Sequence, residues 1–248
     1  MTTEFRATLR RSVDLFSAFR LEQTRPDVFY GALARDSAAQ VGSYLPLAGA
    51  RVLDVGGGPG YFADAFEGAG ATYVPLDADA GELALHGREP GPRTVLGDGT
   101  SLPFADGAFD VAYSSNVAEH VARPWAMADE MLRVTRPGGL LFLSYTLWYG
   151  PWGGHETSPW HYLGGERAAR RYAEEHGHRP KNLYGESLFP ITASAGARWA
   201  RRQARSGALV DVELVPRYLP AWASPVARVP VVRELACWNF VVVGRRGR

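Results

Sequence analysis

Cysteine and lysine are almost missing from this sequence of 248 residues, and the positive charge is carried almost entirely by arginine. Cys237 is the single cysteine, so neither an intramolecular disulfide framework nor a cysteine-based zinc site is possible. Lys181 is the single lysine, the net charge is only +1, and no basic run dominates the chain. We therefore expect no nucleic-acid partner.

Long apolar segments are missing as well. The first twelve residues carry charges where a signal peptide would have its apolar stretch. The longest uncharged segment, Gly138–His155, is broken by glycine and proline after Leu147, whereas a membrane-spanning helix needs roughly 20 apolar residues. The sequence predicts no membrane span and a cytoplasmic protein. Its length suits one large α/β domain with a full core.

The segment 50–65 combines the patterns of a strand, a glycine-rich turn and a helix. The β-type segment Arg51–Asp54, with Val52 and Leu53 at its centre, leads into four glycines, and the spacing of Phe62, Ala65 and Phe66 then predicts a helix. This order opens a nucleotide-binding α/β sheet, in which glycine lets backbone N–H groups approach a ligand. Asp54 would repel a pyrophosphate but suits an ammonium or sulfonium cation.

Val52–Gly60 closely resembles motif I of the class I methyltransferases that depend on S-adenosylmethionine (SAM). Further motifs extend the resemblance over residues 50–146, and Arg136-Pro137-Gly138-Gly139 before the fifth strand is among the most specific. The chain resembles methyltransferase type 11 proteins of actinobacteria whose acceptors are unassigned. The resemblance implies a seven-stranded, mostly parallel, Rossmann-like sheet with helices on both faces, and SAM as cofactor.

The resemblance also implies where SAM binds. Asp77 lies nineteen residues after Gly58 and would accept hydrogen bonds from the ribose hydroxyls, while Asp98 would bind the adenine amino group. Asp98 could instead cap its own turn, which is the alternative interpretation. The expected cofactor contacts are Asp54, Gly56, Gly57, Gly58, Gly60, Tyr61, Asp77, Ala78, Gly97, Asp98, Gly99, Ser115, Asn116 and His120.

The flanking sequence predicts one domain in four parts, of which the first resembles the N-terminal lid of small-molecule methyltransferases, although its two helices could instead only pad the sheet. The four parts are an N-terminal helical lid (1–47), a SAM-binding core (48–147), an acceptor-side insertion (148–207) and C-terminal strands (208–248). The first helix has an apolar face of Phe5, Leu9, Val13 and Phe16, and a short helix is expected over Ala80–His86. The fifth strand is predicted at Leu140–Thr146 and the seventh at Leu235–Gly244, with Cys237 buried in it.

The aromatic-rich loop after the fifth strand is the expected acceptor site, because ligands bind beyond the carboxyl ends of such strands. Within it, His155 is the candidate general base, Glu156 could orient it, and His161 is a further candidate catalytic residue. These histidines could instead only fix the loop. A metal site of all three is another alternative, but adjacent residues rarely chelate one ion well, so no metal is expected.

The leading hypothesis is a SAM-dependent methyltransferase acting on a small-molecule or glycan-type acceptor, most simply at oxygen. One alternative is a SAM-binding protein without methyl transfer, either cyclase-like or regulatory. Another is an NAD-linked oxidoreductase, because Gly58–Ala63 also matches the weak dinucleotide pattern G-x-G-x-x-A. The oligomeric state is left open.

Overall fold

The computed structural model describes residues 5–22, 24–83 and 91–248. Within these ranges the helices are α1 (Leu9–Phe19), α2 (Pro26–Tyr44), α3 (Ala63–Gly68), α4 (Ala80–Leu83), α5 (Pro124–Val134), α6 (Gly165–His176), α7 (Ala193–Arg205) and α8 (Val232–Ala236). The strands are β1 (Arg51–Val55), β2 (Thr72–Asp77), β3 (Val95–Leu96), β4 (Phe109–Ser115), β5 (Thr135–Thr146), β6 (Leu209–Pro216) and β7 (Asn239–Arg246). The end of the predicted helix over Ala80–His86 lies outside the described residues.

The seven strands form one sheet in the order β3-β2-β1-β4-β5-β7-β6, which confirms the predicted fold class. β7 runs antiparallel to both β5 and β6, and the remaining neighbours pair in parallel. The carboxyl ends of β1 to β6 therefore share one edge with the amino end of β7. The strand order reverses between β1 and β4, and such reversals create a ligand-binding crevice.

Successive apolar side chains of the strands point to opposite faces of the sheet and form one core on each face. One core packs α2 and α3 on residues such as Val52 and Phe142, and Phe66 stacks on Tyr73 there. The other core packs α5 and α7 on the opposite face, through buried residues that include Met131 and Trp199. Helices on both faces confirm the expectation from sequence. No helix in the described ranges is long and apolar enough to cross a bilayer.

Helix α1 turns a different face inward from the one predicted. Leu9 and Val13 are 58% and 54% exposed, whereas Ser12 and Leu15 are buried. Arg11 forms a two-point ion pair with Asp36 of α2, with nitrogen–oxygen distances of 2.5 and 2.7 Å. This nearly buried pair fixes the rotation of α1, an effect that the spacing of apolar residues does not reveal.

Two predicted strand boundaries in the C-terminal half were wrong. β5 begins at Thr135 rather than Leu140, and its pairing with β4 shifts register between Phe109 and Val111. A Cβ at Gly139 would lie 2.7 Å from the Asp110 carbonyl oxygen, so glycine permits this close pairing. The first two residues of the predicted seventh strand, Leu235 and Ala236, instead belong to α8, and Cys237 is buried just before β7 rather than inside it.

Helix α7 packs against Tyr145 so closely that a Cβ at Gly196 would overlap the tyrosine hydroxyl. We expect Gly196→Ala to lower the free energy of unfolding by about 1–3 kcal/mol, because overpacking outweighs the better helix propensity of alanine. Gly42→Ala in α2 is the matched control, since its nearest contact is Leu47 Cδ1 at 3.8 Å. The control should gain about 0.5–1 kcal/mol in urea unfolding. Equal effects of the two substitutions would contradict the packing argument.

Candidate active site

The glycine loop after β1 is held by the neighbouring strand. The N–H groups of Gly56 and Gly57 donate to the Leu76 carbonyl at 2.7 and 3.0 Å. A Cβ at Gly56 would overlap Val117, and one at Gly57 would lie 2.7 Å from Pro75 Cβ. These two glycines are therefore required by packing at the end of the strand.

The next two glycines of the loop are required by backbone conformation instead. Gly58 and Gly60 have φ values of +48° and +75°, and no atom of the described chain lies within 4 Å of an added Cβ at either position. Left-handed backbone with open space above it lets a ligand approach the main chain closely. Tyr61 follows and stacks on Tyr30 of α2 at 4.9 Å, which places the second helix beside the loop.

Asp77 is the acidic residue that faces the glycine loop. Its Oδ2 accepts a hydrogen bond from the Gly58 N–H at 3.0 Å, and Oδ1 accepts one from the Asp79 N–H at 3.1 Å. Asp79 instead accepts from Gly81 N–H at 2.7 Å at the start of α4. Ala78 between them is exposed. The sequence-based choice of Asp77 over Asp79 is consistent with this geometry, although its contact with ribose stays a prediction.

Asp54 lies beneath the glycine loop and is only 2% exposed. Burial raises the pKa of its carboxyl to about 7, and the negative charge of Asp77 adds to the rise. A short hydrogen bond from the Tyr73 hydroxyl and the positive charge of Arg217 both oppose it. A cation bound above Asp54 would favour its ionised form.

Asp98, after β3, adopts the self-capping arrangement that the sequence left open. Its carboxylate accepts hydrogen bonds from the N–H and hydroxyl of Thr100 at 2.7 and 2.9 Å, which lowers the pKa of the exposed side chain. Gly97 donates its N–H to the Asp77 carbonyl at 2.9 Å. Gly99 has no room for a side chain, because a Cβ there would lie 2.9 Å from Val55. The adenine contact of Asp98 stays a prediction.

Ser115 and Asn116 continue β4 into a polar network at the same edge of the sheet. Asn116 has φ +56°, donates its N–H to the Ser144 carbonyl at 2.9 Å, and accepts from the Asn239 amide at 2.6 Å. The Ser115 hydroxyl accepts a hydrogen bond from Arg217 at 2.6 Å. These hydrogen bonds link the carboxyl ends of β4, β5 and β6 to the amino end of β7 at the predicted cofactor site.

Arg217 is a functional-site residue that the sequence analysis missed. It follows β6, is 1% exposed, and donates to hydroxyl groups of α2, β4 and β5. Its partners are Ser37 at 2.6 Å, Tyr113 at 3.3 Å, Ser115 at 2.6 Å and Ser144 at 2.8 Å. Nothing in the surrounding sequence distinguishes Arg217 from the many surface arginines, because its partners are distant along the chain.

Glu119, His120 and His155 meet on the acceptor side of this network. The rings of His120 and His155 pack edge to face with centroids 5.0 Å apart. The Glu119 carboxylate accepts a hydrogen bond from the Thr146 N–H at 3.1 Å. Burial lowers the pKa of His155 to about 4, and the neighbouring His120 contributes to this lowering. His155 is therefore neutral at pH 7 and offers a lone pair.

Glu156 and His161 lie apart from that group. The Glu156 carboxylate accepts both of its hydrogen bonds from the Asn182 amide, at 2.9 and 3.1 Å. Among the described side chains Glu156 makes no hydrogen bond to His155, so Glu119 replaces it as the carboxylate beside that histidine. His161 is buried between the rings of Trp148 and Tyr162, and burial lowers its pKa.

An aromatic cluster covers the loop after β5. Phe16 and Phe19 of α1 pack against Trp152 with centroid distances of 6.4 and 5.6 Å, and Phe16 meets Trp238 at 5.2 Å. Tyr218 contacts Trp238 from the other side at 5.9 Å. The first helix thus lies over the predicted acceptor loop and gives it an apolar wall.

The comparisons with known proteins agree with this geometry. A family model described as a methyltransferase domain matches residues 53–143. An uncharacterized methyltransferase of Mycolicibacterium gilvum is 55% identical over 97% of this chain and 96% of the relative. The fold and the site define an α/β methyltransferase. More particularly, the chain belongs to the family of the mycobacterial methyltransferases that it matches nearly end to end.

Two solved structures have a similar fold at low identity. A SAM-dependent methyltransferase of Mesorhizobium loti is 21% identical with a TM-score of 0.55, covering 86% of this chain and 98% of that one. A phosphoethanolamine N-methyltransferase of Haemonchus contortus, in complex with phosphomonomethylethanolamine and S-adenosylhomocysteine, is 15% identical with a TM-score of 0.54. The match covers 92% of this chain and 59% of that one.

The buried carboxyl of Asp54 makes stability depend on pH. Its pKa is about 7 in the folded protein and near 3.8 in the unfolded chain, so the wild type loses stability as pH rises from about 4 to about 7. Asp54→Asn cannot ionise and should escape this loss. We expect its advantage in free energy of unfolding to grow by about 1.4 kcal/mol per pH unit across that range and then level off. A difference that is constant from pH 4 to pH 8 in urea unfolding would contradict the assignment.

Proposed function

We propose that the chain transfers a methyl group from SAM to an oxygen of a small-molecule or sugar-type acceptor. The observation that carries the proposal is the open, left-handed backbone at Gly58 and Gly60, directly beside the Asp77 carboxylate. It lies where the strand order reverses, at the crevice used by ligands of such sheets. Family membership supports the transferase activity.

The residues at this edge fit SAM in shape and charge. Gly58 and Gly60 leave a cradle that side chains would fill, Asp77 supplies negative charge beside it, and the Asp54 carboxyl below it would ionise more readily once a cation is bound. Such charge suits the ammonium and sulfonium groups of SAM better than it suits a pyrophosphate. The same argument disfavours the NAD-linked alternative. When bound, SAM supplies an electrophilic methyl group on sulfur.

The acceptor would bind on the opposite side of Asn116, between the aromatic cluster and the histidines. Apolar rings with a few converging polar groups are typical of small-ligand sites. Because the imidazole of His155 is neutral at pH 7, its lone pair can act on an acceptor hydroxyl, which must lose its proton during transfer.

The cytoplasmic location and the absence of a nucleic-acid partner stay predictions, as does the division of the chain into lid, core, insertion and C-terminal strands.

Cofactor binding is tested by titration calorimetry with SAM, S-adenosylhomocysteine and NAD⁺. We expect both SAM compounds to bind, and Asp77→Ala to weaken SAM by about 1–3 kcal/mol, since it removes a partly buried hydrogen-bond acceptor. Asp79→Ala is the matched control, because that carboxylate caps α4 instead of facing the loop. Binding of NAD⁺ alone, or equal losses in the two variants, would refute the proposed site.

Methyl transfer is tested with labelled SAM and small-molecule extracts as the source of acceptor. We expect His155→Ala to lower turnover by roughly 10²–10⁴ while its affinity for SAM stays unchanged, because the histidine acts only on the acceptor. His176→Ala, at the exposed end of α6, is the control and should retain full turnover. A loss smaller than tenfold at saturating acceptor would mean that positioning alone carries the reaction.

A further inference from the structure

Glu119, His120 and His155 come together although they belong to two separate loops. The first two form a short helical turn after β4, and His155 begins another turn after β5. One potential ligand atom from each side chain lies within 4.8 Å of the other two. A carboxylate and two imidazoles are a common donor set for divalent transition metals in proteins.

Two members of the cluster hold buried atoms without partners. Glu119 is 1% exposed, and while one carboxylate oxygen accepts from Thr146, the other has no hydrogen-bond partner. Nδ1 of His155 is likewise buried and makes no hydrogen bond of good geometry, although the Gly153 backbone lies near the ring. Buried polar atoms are nearly always satisfied, since leaving one without a partner costs about 1–3 kcal/mol. These two atoms therefore indicate a missing ligand at the cluster.

His120 has the tautomer that metal-binding histidines use. Its Nδ1 lies 2.7 Å from the Ser187 carbonyl oxygen, and because a carbonyl only accepts, Nδ1 must carry the proton. Nε2 is then the nitrogen of the ring that can offer a lone pair to a ligand. A backbone carbonyl that fixes a histidine in this way is the usual outer contact of a metal ligand.

The charge of the cluster also favours a cation. Among the hydrogen bonds and ion pairs of the described residues, no arginine or lysine pairs with the Glu119 carboxylate. Arg217, the buried cation of the site, donates instead to hydroxyls of serine and tyrosine. A buried carboxylate without a cationic partner is unfavourable, so a bound metal ion would stabilise it.

We propose that Glu119, His120 and His155 bind a divalent transition-metal ion at the acceptor side of the site. Three protein ligands leave a coordination position open for an acceptor oxygen, which the metal would polarise as a Lewis acid. This set replaces the one considered from sequence, His155 with Glu156 and His161, and departs from the expectation of no metal. With its lone pair on the metal, His155 could not also be the general base, and the metal ion would take over the activation of the acceptor hydroxyl. This role in methyl transfer rests on the proposed function, whereas the binding of the metal does not.

The experiment uses the full chain, stripped with a chelator and then titrated with Zn²⁺ against a chromophoric competitor. Co²⁺ replaces Zn²⁺ in a parallel titration, because its visible absorption reports nitrogen and oxygen ligands directly. We expect one Zn²⁺ per chain. Substitutions in the outer contacts of metal sites cost 10–100-fold in affinity, so Glu119→Gln and His155→Ala should each cost more than about 100-fold.

His176→Ala is the control for adventitious binding, because His176 and His178 lie near each other at the protein surface. It should leave Zn²⁺ affinity within about twofold of wild type. Circular dichroism checks that the variants fold, and if Glu119→Gln does not, His155→Ala decides, since it alters a loop rather than the core. Failure to bind Zn²⁺, or unchanged affinity in folded His155→Ala, would overturn the metal site.

The two proposals fail in different ways. Zn²⁺ binding that depends on Glu119 and His155, in a protein that binds no SAM, would overturn the proposed function and leave the metal site standing. SAM binding and methyl transfer that persist in chelator, with no Zn²⁺ bound, would overturn the metal site alone. His155 would then act on the acceptor directly.

Discussion

The buried guanidinium of Arg217 is the interaction on which the site depends most. It lies at the carboxyl edge of the sheet and donates to four hydroxyls on α2, β4 and β5. Its backbone carbonyl accepts from Arg11 at 2.9 Å, and Arg11 is paired with Asp36. One buried cation therefore joins the two N-terminal helices to the central strands and to β6. Because desolvating a charge is costly, these contacts must form together or not at all.

Around that cation the edge of the sheet is divided by charge and chemistry. Asp54 and Asp77 lie at the carboxyl ends of β1 and β2, and Asp98 follows β3, so the cofactor half is rich in acidic residues. His120 and His155 follow β4 and β5 beneath an aromatic cover, so the acceptor half is apolar with basic nitrogens. The division follows from the reversal of strand order, which places the first three strands on one side of the crevice and β5 on the other.

The sheet and the cofactor half were predictable because their signals are local. The positions of Asp54, the glycines and Asp77 follow from strand ends and from a turn that only glycine can make. Both features can be recognised from a few consecutive residues. The boundaries failed where a distant contact decided them. β5 starts early because Gly139 lets its backbone pair beside Asp110, and α1 is rotated by the ion pair between Arg11 and Asp36.

By itself the sequence determined the fold class, the order of the strands along the chain, and the residues at the carboxyl ends of β1, β2 and β3. Tertiary structure decided the acceptor half. Glu156, adjacent to His155 in sequence, bonds to Asn182 instead, whereas Glu119 lies beside His155 from the helical turn after β4. Arg217 could be recognised only from its burial. The physical reason is that periodicity and turns act over a few residues, whereas polar side chains are paired by whatever the packed strands bring within hydrogen-bonding distance.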